Sequence, residues 1–341
     1  MHKFLSRLAV IALAFDSAAS FCFFSPFPSL SGKKVAFRTP LQLLASLQDH
    51  ADLSSGRRSV VLGGSTAMAM AALASPQKAA ANTVDIDVGN KNSSLQSSLS
   101  ATKLVKVTDP QTYSALAYSP PLGATSKQYP LLVVLPGAGL NAGTAWDLAD
   151  PAGEHMGLPP SLLATGRAPA ALADNFAVLA PYSAGSRSLY EEPRSKLLSF
   201  LDWACSDKGR AGGCPLIDPE RIYLLGFSDG ATLGVELLTT GRFRAGVIAA
   251  YGFTGTLPSL ALERLADKPL WIFHSADDVI FPVKCSDNLV DSLRKINVNK
   301  DIVRYTRYSQ DQEGFTGRVR GHSTGITASK LGAIYEWMLS V

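Results

Sequence analysis

Ser228 stands between Gly226 and Gly230, with Asp229 directly after it, in the stretch LLGFSDGATL (residues 224–233). A serine hydroxyl becomes an effective nucleophile only when a base takes its proton, and a turn flanked by glycines can present it to a substrate carbonyl. At ordinary Gly and Ser usage this motif arises by chance in roughly one chain in ten of this length, so its surroundings decide its meaning. Where such a turn is catalytic, its partners follow it in the order acid, then histidine. Outside the first hundred residues the histidines are His155, His274 and His322. His155 precedes the serine, and His274 falls in the apolar run LWIFHS, which leaves His322 as the base. Asp277 and Asp278, at the end of that run, supply the acid; one is expected to orient His322 and the other to cap the turn. Two backbone N–H groups must face the oxyanion. The N–H of Asp229 is one, and the loop LLVVLPGAGLNAG, where Gly137, Ala138 and Gly139 permit close backbone approach, is expected to offer the other.

These residues need elements to hold them. KLVKV, TYSALAY, LLVVLP, FAVLAPY, RIYLLGF, AGVIAAY, LWIFHS and VRYTRYS are all strand-sized runs. Helix-like patterns lie between most of the later ones: Leu189 to Asp207, Asp229 to Thr240, Val283 to Ile296 and, at the end, Thr324 to Leu339. Alternating strands and helices predict an α/β fold with a mainly parallel sheet and helices on both faces. The first two strands, joined without a helix, are expected to form an antiparallel edge. RIYLLGF, the Gly-x-Ser-x-Gly turn and DGATLGVELLTTG then read as strand, nucleophile elbow and helix. The Gly-rich loop at 137–139 lacks the lysine and hydroxyl pattern of a nucleotide-binding loop.

YPLLVVLPGAG, IDPERIYLLGFSDGA, LWIFHSADDVIFPV and GHSTG, in that order, resemble the blocks of the α/β-hydrolase fold. Within it they are similar to the group of carboxylesterases, acyl-protein thioesterases, lysophospholipases and related peptidase-like proteins. The resemblance covers roughly residues 112–340. It implies a Ser228, Asp278, His322 triad, because His274, Asp278 and Pro282 fit the acid block. It also implies an oxyanion hole from Ala138 and Asp229, although Pro136 stands where the family usually has a histidine. The implied reaction is hydrolysis of a small-molecule carboxylic ester or thioester through an acyl-enzyme, without cofactor or metal. Amide hydrolysis on the same triad, or a non-catalytic binding role, is the alternative.

The formal charge of +4 is concentrated at the N-terminus. Residues 1–81 carry eight Lys/Arg against three Asp/Glu, which leaves 24 against 25 in the remainder and no basic footprint for nucleic acid. The N-terminal region reads as three addresses in series: a signal peptide (1–20), a transit-peptide-like region (21–56) and a twin-arginine segment (57–81) built on Arg57–Arg58 and ending in three alanines. That order predicts delivery to a plastid, into the thylakoid lumen, with secretion as the alternative. It also predicts a polar lead-in at 82–101 before a hydrolase domain at 102–341, with no stable membrane span in the mature chain. Cys205 and Cys214 flank SDKGRAGG, a short segment that a disulfide could close; the alternative is two buried thiols. The four tryptophans fall on apolar stretches and read as core.

Overall fold

The structure is a computed structural model that describes residues 104–121, 128–140, 143–297 and 301–341. The predicted leader segments and the lead-in at 82–101 lie outside the described residues.

The eight strand-sized runs form β1 (Leu104–Thr108), β2 (Ser114–Tyr118), β3 (Tyr129–Leu135), β4 (Ala177–Tyr182), β5 (Ile217–Phe227), β6 (Ala245–Ala249), β7 (Leu270–Ser275) and β8 (Val303–Tyr308). They make one sheet in the order β1-β2-β4-β3-β5-β6-β7-β8. β2 runs antiparallel to both neighbours, and the remaining pairs are parallel. Every residue of β3, β4 and β6 is buried, the pattern of strands covered on both faces.

The covering helices are α1 (Pro159–Ala164), α2 (Ala170–Ala173), α3 (Arg194–Ala204), α4 (Asp207–Ala211), α5 (Asp229–Leu238), α6 (Ser259–Ala266), α7 (Lys284–Ile296), α8 (Thr324–Lys330) and α9 (Gly332–Ser340). Two predicted helices are divided. The pattern from Leu189 opens as a 3-10 turn, Leu189–Glu191, and restarts after Pro193 because Glu192, preceding a proline, is driven to extended backbone (φ −104°, ψ 154°). The last helix breaks at Leu331, where ψ is 110°. The Tyr335 hydroxyl donates to the Ser329 carbonyl at 2.8 Å and so satisfies a group that the break deprives of its helical donor. Trp337 is buried edge-on to Trp271, while Trp146, Trp203 and Trp271 pack partly buried against the core.

Cys205 and Cys214 are free thiols, not a disulfide. The residues between them are not slack loop but the short helix α4, capped by Ser206, whose Oγ accepts from the Gly209 N–H at 3.3 Å. The Cys214 N–H is itself held by the Gly209 carbonyl at 2.9 Å. Burial raises both thiols, and for Cys214 burial and the neighbouring Cys205 push the value up to about 12.

Chain direction explains where chemistry can occur. From β3 the chain crosses to β4 on one side and then returns to β5 on the other, so β3 and β5 flank the point where strand order reverses. Open parallel sheets bind ligands in the crevice at such a point. Leu135, the last residue of β3, is opposite Gly226, which brings the loop after β3 beside the turn after β5.

Candidate active site

The turn between β5 and α5 is forced into a strained shape. Ser228 has φ 57° and ψ −122°, a region costly for any residue with a Cβ, by about 1–3 kcal/mol. Its N–H donates to the Ala249 carbonyl at 3.0 Å and its carbonyl accepts from Ala231 at 2.9 Å, so both flanking elements hold it. The two glycines of the motif are required by packing rather than by φ. A Cβ on Gly226 would stand 2.4 Å from the Gly230 carbonyl oxygen, and one on Gly230 would stand 2.1 Å from that of Leu135. The start of α5 therefore presses against the loop after β3. Gly137 in that loop lies directly beside the serine; a Cβ there would be 3.1 Å from Ser228 Cβ.

His322 reaches this turn from the segment between β8 and α8. Its Nε2 is 2.8 Å from Ser228 Oγ, and its Nδ1 is 2.8 Å from Asp278 Oδ2. Asp278 is buried, and burial alone would raise its pKa. The opposing hydrogen bonds from His274 and His322, the charge of His322 and the Phe281 N–H prevail, and hold the carboxyl below the usual carboxylate range. An ionised carboxylate only accepts, so His322 carries its proton on Nδ1 and offers Nε2 to the serine hydroxyl. Oδ1 of Asp278 accepts from Ile280 and Phe281 N–H at 2.8 and 2.9 Å. Phe227 and Phe281 pack on the imidazole, with ring centroids 5.2 and 5.3 Å from it.

The turn-capping part expected of the second aspartate falls to Asp278 itself, through Oδ1, and Asp277 does different work. Its Oδ1 accepts from the Ser275 hydroxyl and from the Asp311 N–H at 3.0 Å, and Asp311 in turn accepts from the Ser323 hydroxyl. Asp277 thus ties the segment carrying His322 to the turn carrying Asp278. Gly321 completes that tie at φ 76°, and Val279 donates to the Arg320 carbonyl at 3.1 Å. His274, set aside as a base, is fully buried against the acid. Its Nε2 lies 3.2 Å from Asp278 Oδ2 and 3.0 Å from the Phe281 carbonyl, so it donates there, while Nδ1 faces Ser286 Oγ at 2.7 Å. Sequence reasoning used His274 only as a block marker and gave no role to Phe227, Phe281 or Gly321. The signal for His274 was a titratable residue inside an apolar strand, four residues before the acid.

The two expected oxyanion donors lie on either side of the serine. The Asp229 N–H opens helix α5 and has no intrahelical acceptor. In the facing loop, Gly139 and Leu140 N–H both donate to the Arg187 carbonyl, at 2.9 and 3.0 Å, whereas no backbone hydrogen bond involves the Ala138 N–H among the described residues. The Asp229 side chain is buried, and burial raises its pKa against the opposing influence of the nearby Ser188 hydroxyl. His155 backs the loop from behind. Burial drives its pKa down to about 4, against the opposing pull of the nearby Asp147 charge. Among the described residues no group of three or more His, Cys, Asp or Glu is placed to hold a metal ion, and no helix is long and apolar enough to cross a membrane.

Comparison with known proteins agrees with this architecture. The phospholipase/carboxylesterase family of α/β-hydrolases matches residues 202–316, a span that holds Ser228 and Asp278 and stops before His322. A thermostable esterase of known structure superposes with a TM-score of 0.50 at 23% identity, over 70% of this chain and 62% of its own. The chain has the α/β-hydrolase fold. Two other solved structures are similar more distantly. An enzyme from a Medee basin deep-sea metagenome library gives 17% identity and a TM-score of 0.48 over 70% of this chain and 98% of its own. The acylaminoacyl peptidase of Pyrococcus horikoshii gives 14% and 0.45 over 69% and 41%. The chain spans about three fifths of the thermostable esterase's length. No protein with a curated description matches it significantly.

Proposed function

We propose that this α/β-hydrolase is a serine hydrolase of carboxylic esters or thioesters. The observation that carries the reading is the unbroken path from Ser228 Oγ through His322 to Asp278, with 2.8 Å at each step. In acylation the Oγ–carbon bond forms as His322 Nε2 takes the hydroxyl proton. The tetrahedral oxyanion is held by the N–H groups of Asp229 and Ala138, and the carbon–leaving-group bond breaks as the imidazolium returns the proton to the departing oxygen or sulfur. Water then attacks the acyl-enzyme with the same imidazole as base, releasing the acid and restoring Ser228. Asp278 stays ionised throughout; it fixes the tautomer and stabilises the imidazolium.

A fluorophosphonate probe on the protein from residue 82 tests this reading. Labelling is expected in the wild type and lost in Ser228→Ala, and labelling that survives the substitution would overturn the nucleophile assignment. An ester, thioester and amide panel with matched acyl groups separates the esterase reading from amide hydrolysis. We further propose, from the order of leader segments, that the mature protein resides in a thylakoid lumen and begins at Asn82. N-terminal sequencing of the native protein tests that cut.

A further inference from the structure

Two hydrogen bonds hold His322 along one line, Nδ1 to Asp278 Oδ2 and Nε2 to Ser228 Oγ. Neither stops the imidazole from tilting about that line, a motion that swings the Nε2 lone pair off the hydroxyl. Packing has to set the tilt. The Phe281 ring meets the imidazole at 86° with centroids 5.3 Å apart, and the Phe227 ring lies against it at 35° and 5.2 Å. The His322 side chain is left 10% exposed.

Phe281 is itself held from three directions. Its N–H donates to Asp278 Oδ1 at 2.9 Å, and its carbonyl faces His274 Nε2 at 3.0 Å. Its ring presses on Gly252, three residues beyond β6, where an added Cβ would stand 2.5, 2.6 and 2.7 Å from three ring carbons. Gly252 is not among the glycines with positive φ, so the ring and not the backbone demands its small size. β6 is the strand whose last residue, Ala249, accepts the Ser228 N–H. One residue therefore touches the acid through its backbone and the base through its ring, and that ring is backed by the exit of the strand that steadies the nucleophile.

We propose that Phe281 is a positioning residue that fixes the tilt of the His322 imidazole, and that Gly252 is required to give its ring room to do so. This deepens, and rests on, the serine-hydrolase reading. The backbone of Phe281 is pinned by two hydrogen bonds, so a Cβ at position 252 displaces the ring, and the displaced ring disturbs the imidazole it contacts. Proton transfer needs an aligned imidazole, whereas binding of the substrate does not. A tilted ring should therefore lower kcat and spare KM.

The test compares Phe281→Ala, Phe281→Leu, Gly252→Ala and the double variant Gly252→Ala/Phe281→Leu on a short acyl ester, beside wild type and Ser228→Ala. A misplacement of about 1 Å can cost about a hundredfold, so Phe281→Ala and Gly252→Ala are each expected to lower kcat about tenfold to a hundredfold, with KM nearly unchanged. The rate of inactivation by a fluorophosphonate, which needs the same activated serine, should fall by a similar factor. Phe281→Leu, which keeps part of the packing, should lose less than Phe281→Ala. The double variant should be more active than Gly252→Ala, because the smaller side chain makes room for the new Cβ. A role in stability alone predicts the opposite, two losses that accumulate. Unchanged kcat in Phe281→Ala, a loss confined to KM, or a double variant no more active than Gly252→Ala would overturn the proposal. Should Phe281→Ala not fold, Gly252→Ala against the double variant carries the same comparison. An inactive wild type, or a fully active Ser228→Ala, would instead refute the hydrolase reading, and this proposal would fall with it.

Discussion

Gly321 packs so closely on Asp278 that a Cβ added to it would stand 2.3 Å from the Asp278 backbone nitrogen. With φ at 76°, Gly321 combines a backbone conformation that disfavours side chains with a site that has no room for one. The histidine follows it immediately, so this contact sets the reach of His322 from the acid.

Gly321→Ala is therefore expected to push the His322 segment away from the turn at 277–279. Hydrolysis should fall at least tenfold, with a loss of stability of about 1–3 kcal/mol. Steady-state kinetics and denaturant unfolding of the variant check this; wild-type kcat/KM would contradict it.

His274 and His322 share one oxygen of Asp278. The folded pKa of Asp278 lies below its ordinary value, so the stability it contributes is present above the ordinary carboxylate range and is lost as pH falls through the depressed value. His274→Phe removes a donor from the ionised carboxylate and raises that value. The acid limb of the pH–rate profile should move to higher pH, and kcat/KM at neutral pH should fall about tenfold. An acid limb identical to wild type would show that His274 serves packing alone.

His155 is depressed to about 4 from an ordinary 6.5, by burial above all. The unfolded chain binds this proton between those values and the folded chain does not, so stability should fall as pH drops from about 6.5 to 4, by up to about 3 kcal/mol. Unfolding free energies across that window should show this slope in wild type and a shallower one in His155→Gln. Equal slopes would assign the acid sensitivity elsewhere.

The free-thiol state of Cys205 and Cys214 predicts that alkylation in denaturant without reductant modifies both, along with Cys285. In the folded protein Cys214, raised to about 12, should react far more slowly than after unfolding. A Cys205–Cys214 pair that is protected until reduced would contradict the structure.

Much of this architecture is legible from residue patterns because its strands are short apolar runs between Gly- and Pro-marked turns. The eight strands and the antiparallel edge follow from those runs. Helix continuity was harder to read, because Pro193 and the extended backbone at Leu331 interrupt patterns whose apolar spacing carries on. At the site, chain order singled out Ser228 and His322, while Asp278 was separated from Asp277 only by resemblance, since both end the same strand. His274 and Gly321 were opaque for one reason. Their roles depend on contacts with other parts of the turn that holds the acid, and a buried histidine or a loop glycine looks ordinary until the partner is placed.

The central claim is that Ser228 is the acyl-accepting nucleophile activated by His322. Trapping the acyl-enzyme tests it most directly: the protein is mixed with a slowly deacylated aryl ester, quenched in acid, and its intact mass and Ser228-containing peptide are measured. The account predicts a stoichiometric acyl adduct on that peptide, absent in Ser228→Ala and formed orders of magnitude more slowly in His322→Ala. An adduct on another residue, or ester turnover undiminished in Ser228→Ala, would contradict it.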